Sequence, residues 1–132
     1  MKLAQEIRRW WPSALVIAFI VYATIFPDPA GVDKLPPIPY LDKLIHAIMF
    51  GGMAGALAFD YERAGQRQKP QPGVMAICCC IALAFGGAIE LIQEAMHIGR
   101  AGDWLDFAAD AVGCLVAYFS APGAIAAVLR QR

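Results

Sequence analysis

The sequence predicts an all-α integral membrane protein, a compact bundle of four transmembrane helices forming one domain over residues 1–132, with both termini cytoplasmic. Three observations carry this expectation. Hydrophobic residues make up 59% of the 132 and charged residues 17%, with a mean hydropathy of +0.53; too few polar side chains remain to coat a water-soluble unit of this size. Apolar residues gather in four stretches, 10–26, 41–58, 74–98 and 104–121, each near the roughly 20 helical residues that cross a bilayer. Lys2, Arg8, Arg9, Arg63, Arg67, Lys69, Arg130 and Arg132 fall on one side of a four-pass arrangement, against Lys34, Lys43 and Arg100 on the other, and cytoplasmic flanks are the ones enriched in such residues. The apolar content excludes disorder. The net charge of zero, with no basic run longer than Arg8-Arg9, excludes a nucleic-acid partner.

The first stretch, SALVIAFIVYATIF behind a basic start, reads as a retained helix, because no small-x-small cleavage site follows it. Pro12 suits its first turn and Trp10 and Trp11 suit the interface, while residues 1–9 are expected on the membrane surface. Pro27, Pro29, Pro36, Pro37 and Pro39 then make a loop or cap. The next connection, 61–73, is polar. The third, 99–103, is so short that the helices it joins are antiparallel neighbours, with Gly99 and Gly102 in the turn. Pro122-Gly123 is expected to end the fourth helix. Cys78, Cys79, Cys80 and Cys114 show no C-x-x-C spacing and read as small apolar helix residues, with Cys78 to Cys80 among the alanines and aliphatics expected to fill the inner halves. Gly51, Gly52 and Gly55, Gly86 and Gly87, and Gly113 read as sites of close helix packing.

The polar residues of the apolar stretches converge on one level, expected at the outer surface. Asp42 and His46 share a face at i and i+4; Glu90, Gln93, Glu94 and His97 form a stripe ending the third helix; Asp103, Asp106 and Asp110 open the fourth, with Arg100 in the turn. An ionisable group inside a span costs about 2.5 to 3.5 kcal/mol and normally faces a bundle interior. The acidic surplus calls for raised carboxyl pKa values, protonated His46 or His97, a bound metal or a cationic substrate group. In a chemical reading Glu90 or Asp106 is general base, His46 its acid/base partner and Arg100 an anion binder, with Asp42, Gln93, Asp103 and Asp110 as further substrate contacts. Asp42, His46, Glu90 and Asp106 are candidate ligands for a divalent metal. The structural alternatives are an interfacial Asp42 with His46 reaching toward water, and a Glu90–Arg100 clamp. A single Glu94-x-x-His97 excludes a di-iron bundle, which needs the motif twice. No G-x-S-x-G, Walker loop, H-E-x-x-H or C-x-x-C occurs.

DKLIHAIMFGG at 42–52, E-x-x-Q at Glu90 to Gln93, then Arg100, Asp103, Asp106 and a small-residue helix with Gly113 together resemble the VanZ-like membrane proteins, over roughly residues 39–118. Asp42, His46, Glu90, Gln93, Arg100, Asp106 and Gly113 fall on the family pattern, which Asp110 departs from by standing where Asn is common. The resemblance implies a bacterial inner-membrane protein related to an accessory factor of low-level teicoplanin resistance. The resulting expectation is an extracytoplasmic, acidic pocket that binds or modifies the headgroup of an amphiphile, an envelope lipid or a lipoglycopeptide antibiotic. Membrane lipids and an amphiphilic small molecule are the expected partners, with a homo-oligomer as a candidate assembly. The alternatives are a small proton- or ion-coupled transport element and a structural or assembly protein whose polar cluster locks helices together.

Overall fold

The computed structural model describes residues 2–26, 36, 38–97 and 102–131, and every regular element among them is helical. The helices are α1 (Lys2–Arg9), α2 (Trp11–Ile25), α3 (Leu41–Ala64), α4 (Pro72–Met96) and α5 (Trp104–Leu129). Three of them, α3, α4 and α5, are long and apolar enough to cross a membrane. The 15 residues of α2 reach about 22 Å, short of the roughly 30 Å hydrocarbon core.

The break between α1 and α2 falls at Trp10, and Pro12 lies in the first turn of α2 as its missing N–H predicts. No residue of α1 is buried, and its Leu3 and Ile7 stand on one exposed face. Two helix ends differ from expectation. The second apolar stretch continues past Ala58 to Ala64, because Asp60 and Glu62 are buried in the bundle rather than released to a polar loop. The fourth runs through Pro122 to Leu129. Proline removes one helical hydrogen bond but keeps a helical φ, and the turns beyond it are held by buried Ile125 and Ala126.

At the centre lies α3, packed against α2, α4 and α5. Phe50, Met53 and Ala54 of α3 meet Ile20, Ala82, Ile89 and Cys114 in the main core, while Ala58, Met75, Cys78 and Ile125 form a second cluster toward the other end. The seam between α3 and α5 is closed by backbone. A Cβ on Gly113 would overlap the Ala47 carbonyl and lie 2.6 Å from its carbon, and one on Gly51 would lie 2.6 Å from the Gly113 oxygen. Only glycine permits this approach. A Cβ added at Gly52, by contrast, would meet nothing within 4 Å, so the packing role belongs to its neighbour. Cys114 donates its thiol to the Phe50 carbonyl and Cys79 to the Cys114 carbonyl, and all four cysteines are free. Outside, Ile48, Ile77, Leu115, Val116 and Phe119 are exposed. An apolar jacket of this kind needs a bilayer around it.

Candidate functional site

The polar residues gather where α3 and α5 begin and α4 ends. In the first turn of α3, Lys43 lies within reach of the start of α5, and its Nζ contacts three carboxylates: Asp42 Oδ2 at 2.8 Å, Asp103 Oδ2 at 2.5 Å and Asp106 Oδ1 at 2.5 Å. Asp103 is the N-cap of α5, its Oδ1 accepting the Leu105 N–H at 2.8 Å. Its own backbone N–H donates to Glu90 Oε2 at 2.6 Å, which ties the end of α4 to the start of α5.

One turn deeper, the seam glycines bring α3 and α5 close enough for His46 Nδ1 to meet Asp110 Oδ1 at 2.9 Å, while Nε2 lies 3.5 Å from Asp106 Oδ2. The imidazole stacks on Phe50, with centroids 6.0 Å apart. If Nδ1 carries the proton toward Asp110, Nε2 is free to accept a proton or to bind a metal. Asp110 packs on α4 at Gly86, where a Cβ would come within 2.6 Å of Oδ2. His46, Glu90 and Asp110 are all buried, and one ligand atom from each lies within 4.8 Å of the other two. Glu90 Oε1 and Asp110 Oδ2 are buried with no hydrogen-bond partner among the described residues. Five carboxyl groups therefore surround one ammonium and one imidazole, with a water-facing tier held by Lys43 and a buried tier around His46.

Comparison with protein-family models, curated proteins and solved structures finds no match.

Of the residues singled out from sequence, Asp42, His46, Glu90, Asp103, Asp106 and Asp110 come together at this end. Gln93 is buried beside them but donates its amide to the Thr24 carbonyl at 2.7 Å, joining α4 to the end of α2. Glu94 and His97 are exposed. Arg100 lies outside the described residues, so the expected Glu90–Arg100 clamp does too, as does most of the proline-rich connection. Lys43 stands out in the sequence only as one of the few basic residues expected on this side; its place at the centre of the water-facing tier comes from the reach of its side chain across to α5.

The opposite end corrects an expectation: besides cysteine, alanine and aliphatic residues it holds Asp60 and Glu62, both fully buried. Asp60 Oδ2 accepts from Ser13 N at 2.9 Å and Ser13 Oγ at 2.7 Å, and its Oδ1 accepts from Arg63 at 2.9 Å. It thus serves as a cap for α2 supplied by another helix. Arg63 also donates to the Arg9 carbonyl, joining the α1–α2 junction to α3. Both oxygens of Glu62 are buried without a hydrogen-bond partner.

The Lys43 ammonium, with the Leu105 N–H, holds the Asp103 carboxyl below its ordinary value of 3.8. A lowered folded value means that Asp103 contributes stability above pH 3.8 and that this is lost as pH falls through the lower folded value. Asp103→Asn is expected to flatten the loss of thermal stability on acidification from about pH 5 to about pH 2.5, measured in detergent. An unchanged slope would show that the Lys43 contact contributes nothing in solution.

Proposed function

We propose that this chain is a VanZ-like protein of the bacterial inner membrane, crossing it four times with both termini cytoplasmic and the Lys43–His46 end facing the extracytoplasmic side. In this reading its acidic site binds or modifies the headgroup of an amphiphile, an envelope lipid or a lipoglycopeptide such as teicoplanin. The single observation that carries it is the two-tier site itself, in which exposed Asp42 leads to buried His46, Glu90 and Asp110 at the end of an apolar bundle. A headgroup approaching along the apolar jacket would meet the water-facing tier first. Lys43 supplies the anion contact, and Asp106 faces both Lys43 and His46. His46, oriented through Nδ1 by Asp110, is the acid/base group, and Glu90 the base or ligand.

Two features favour this reading over its rivals. A helix lock alone would satisfy its buried acceptors, whereas Glu90 Oε1 and Asp110 Oδ2 lack partners among the described residues. A transport route would have to pass Phe50, Met53, Ala54, Ala82 and Cys114, which fill the middle as one apolar cluster. The test is Glu90→Gln in protein shown to fold. Loss of a lipid-dependent or teicoplanin phenotype is expected, and if Glu90 is a general base the rate should fall about 100-fold or more. Full retention of the phenotype would count decisively against the reading.

A further inference from the structure

We propose that His46, Glu90 and Asp110 form a binding site for one divalent first-row metal cation, with Zn2+ as its simplest representative. The inference rests on these three side chains and not on the headgroup reading above. It differs from the ligand set expected from sequence, which held Asp42 and Asp106 in place of Asp110.

The division of charge selects the ligands. Lys43 already lies against Asp42, Asp103 and Asp106 at 2.8, 2.5 and 2.5 Å. A cation bound among those three would displace an ammonium that their geometry already fits. Among the described residues no lysine or arginine pairs with the buried tier. Glu90 is 2% exposed and Asp110 fully buried, and each keeps one buried oxygen without a donor among those residues. Two carboxyl groups in that position need either protons or a cation beside them.

The spacing fits a small transition metal. Tetrahedral coordination with ligand bonds of 2.0 to 2.2 Å places ligand atoms about 3.4 Å apart. The three atoms here lie within 4.8 Å of one another, so the ligands draw together as the ion binds. A nitrogen and two carboxylates suit Zn2+ or Mn2+, whereas Ca2+ wants six to eight oxygens, far more than these side chains supply. Coordination through His46 Nε2 or Nδ1 leaves the other nitrogen free to donate to a carboxylate, the usual way a ligating imidazole is oriented. Three protein ligands also leave a fourth position for water or a ligand oxygen.

The test uses full-length protein in detergent, stripped with chelator, reloaded with Zn2+, freed of excess metal and analysed by elemental mass spectrometry with circular dichroism as the folding control. One equivalent per chain is expected, falling to a tenth or less in His46→Ala and in Asp110→Asn and unchanged in Asp42→Asn. Because a variant could fail to fold, the wild-type melting temperature is also measured with added Zn2+ and Mn2+, and a rise with either supports the site. A folded wild type that retains no metal and shows no shift with either overturns the inference and leaves Glu90 and Asp110 carrying protons. Metal retained equally by folded His46→Ala and Asp110→Asn overturns it too, since the ion would then sit elsewhere. The two proposals separate cleanly. A lost Glu90→Gln phenotype in a wild type without metal sinks only the metal site, and a retained phenotype in a metal-bearing wild type sinks only the headgroup reading.

Discussion

Gly113→Ala is expected to lower stability by about 3 kcal/mol, the upper part of the range for forcing atoms into a packed interior. The added methyl has no soft neighbour to push aside, because what it meets is the Ala47 carbonyl group and Cα. Relief comes only by moving α3 away from α5. That movement also lengthens the His46–Asp110 contact, since His46 adjoins Ala47 on α3 and Asp110 stands one turn before Gly113 on α5. Gly52→Ala is the matched control. It lies on the facing helix α3, next to the seam glycine Gly51, and a Cβ added there meets nothing within 4 Å, so it should be neutral or stabilising by about 0.5 to 1 kcal/mol through helix propensity. Unfolding in mixed micelles measures both. Equal stability of the two variants would mean that the glycine seam does not hold the bundle.

Asp60→Ala is expected to cost about 3 to 5 kcal/mol, the penalty for removing one partner of a buried ion pair. Three donors lose their acceptor at once: the Ser13 N–H, the Ser13 hydroxyl and the Arg63 guanidinium. Ser13 is buried, so water does not readily replace the carboxylate. Arg63 keeps its bond to the Arg9 carbonyl, but nothing then neutralises its charge within the node. The α1–α2 segment should loosen from α3 and become sensitive to protease, an effect read by digestion as well as by unfolding. Asp60→Asn preserves an acceptor for Ser13 and should cost roughly half as much. If Asp60→Ala unfolds like the parent, α2 is held by the apolar contacts of Val16, Ile17 and Ile20.

The parts of this arrangement legible in the sequence are those set by local periodicity. Asp42 and His46 at i and i+4, and Asp103, Asp106 and Asp110 at i, i+3 and i+7, share faces wherever the helices form, and the structure turns those faces toward one another. Pro12 marked its own helix start for the same local reason. What tertiary contact decides was not legible. Pro122 resembles a stop signal until Ile125 and Ala126 are seen anchoring the turns beyond it. FDYER after Ala58 resembles an exit from the membrane, yet Asp60 lies about four turns beyond His46 on nearly the same face. That repeat was the available signal. Glu62 offers none from the His46 stripe, since it continues the Ala58 face at i+4, and its burial depends on how the chain returns to α4 beside buried Pro70. Lys43 was counted for its charge, but its long side chain gathers carboxylates from two helices, a reach that spacing along one helix does not encode.

The pairing of His46 with Asp110 spans 64 residues of chain, and this separation orders the birth of the molecule. During synthesis α3 emerges before α5, so its imidazole reaches the bilayer without its later partner. Insertion of α3 therefore depends on its apolar body, whose Phe50, Met53 and Ala54 offset the polar first turns. The polar end is assembled only afterwards, when α5 arrives and docks glycine to glycine. Biogenesis is thus divided into entry and association, and a chain released before α5 is complete would carry an unassembled polar end that quality-control proteases can recognise.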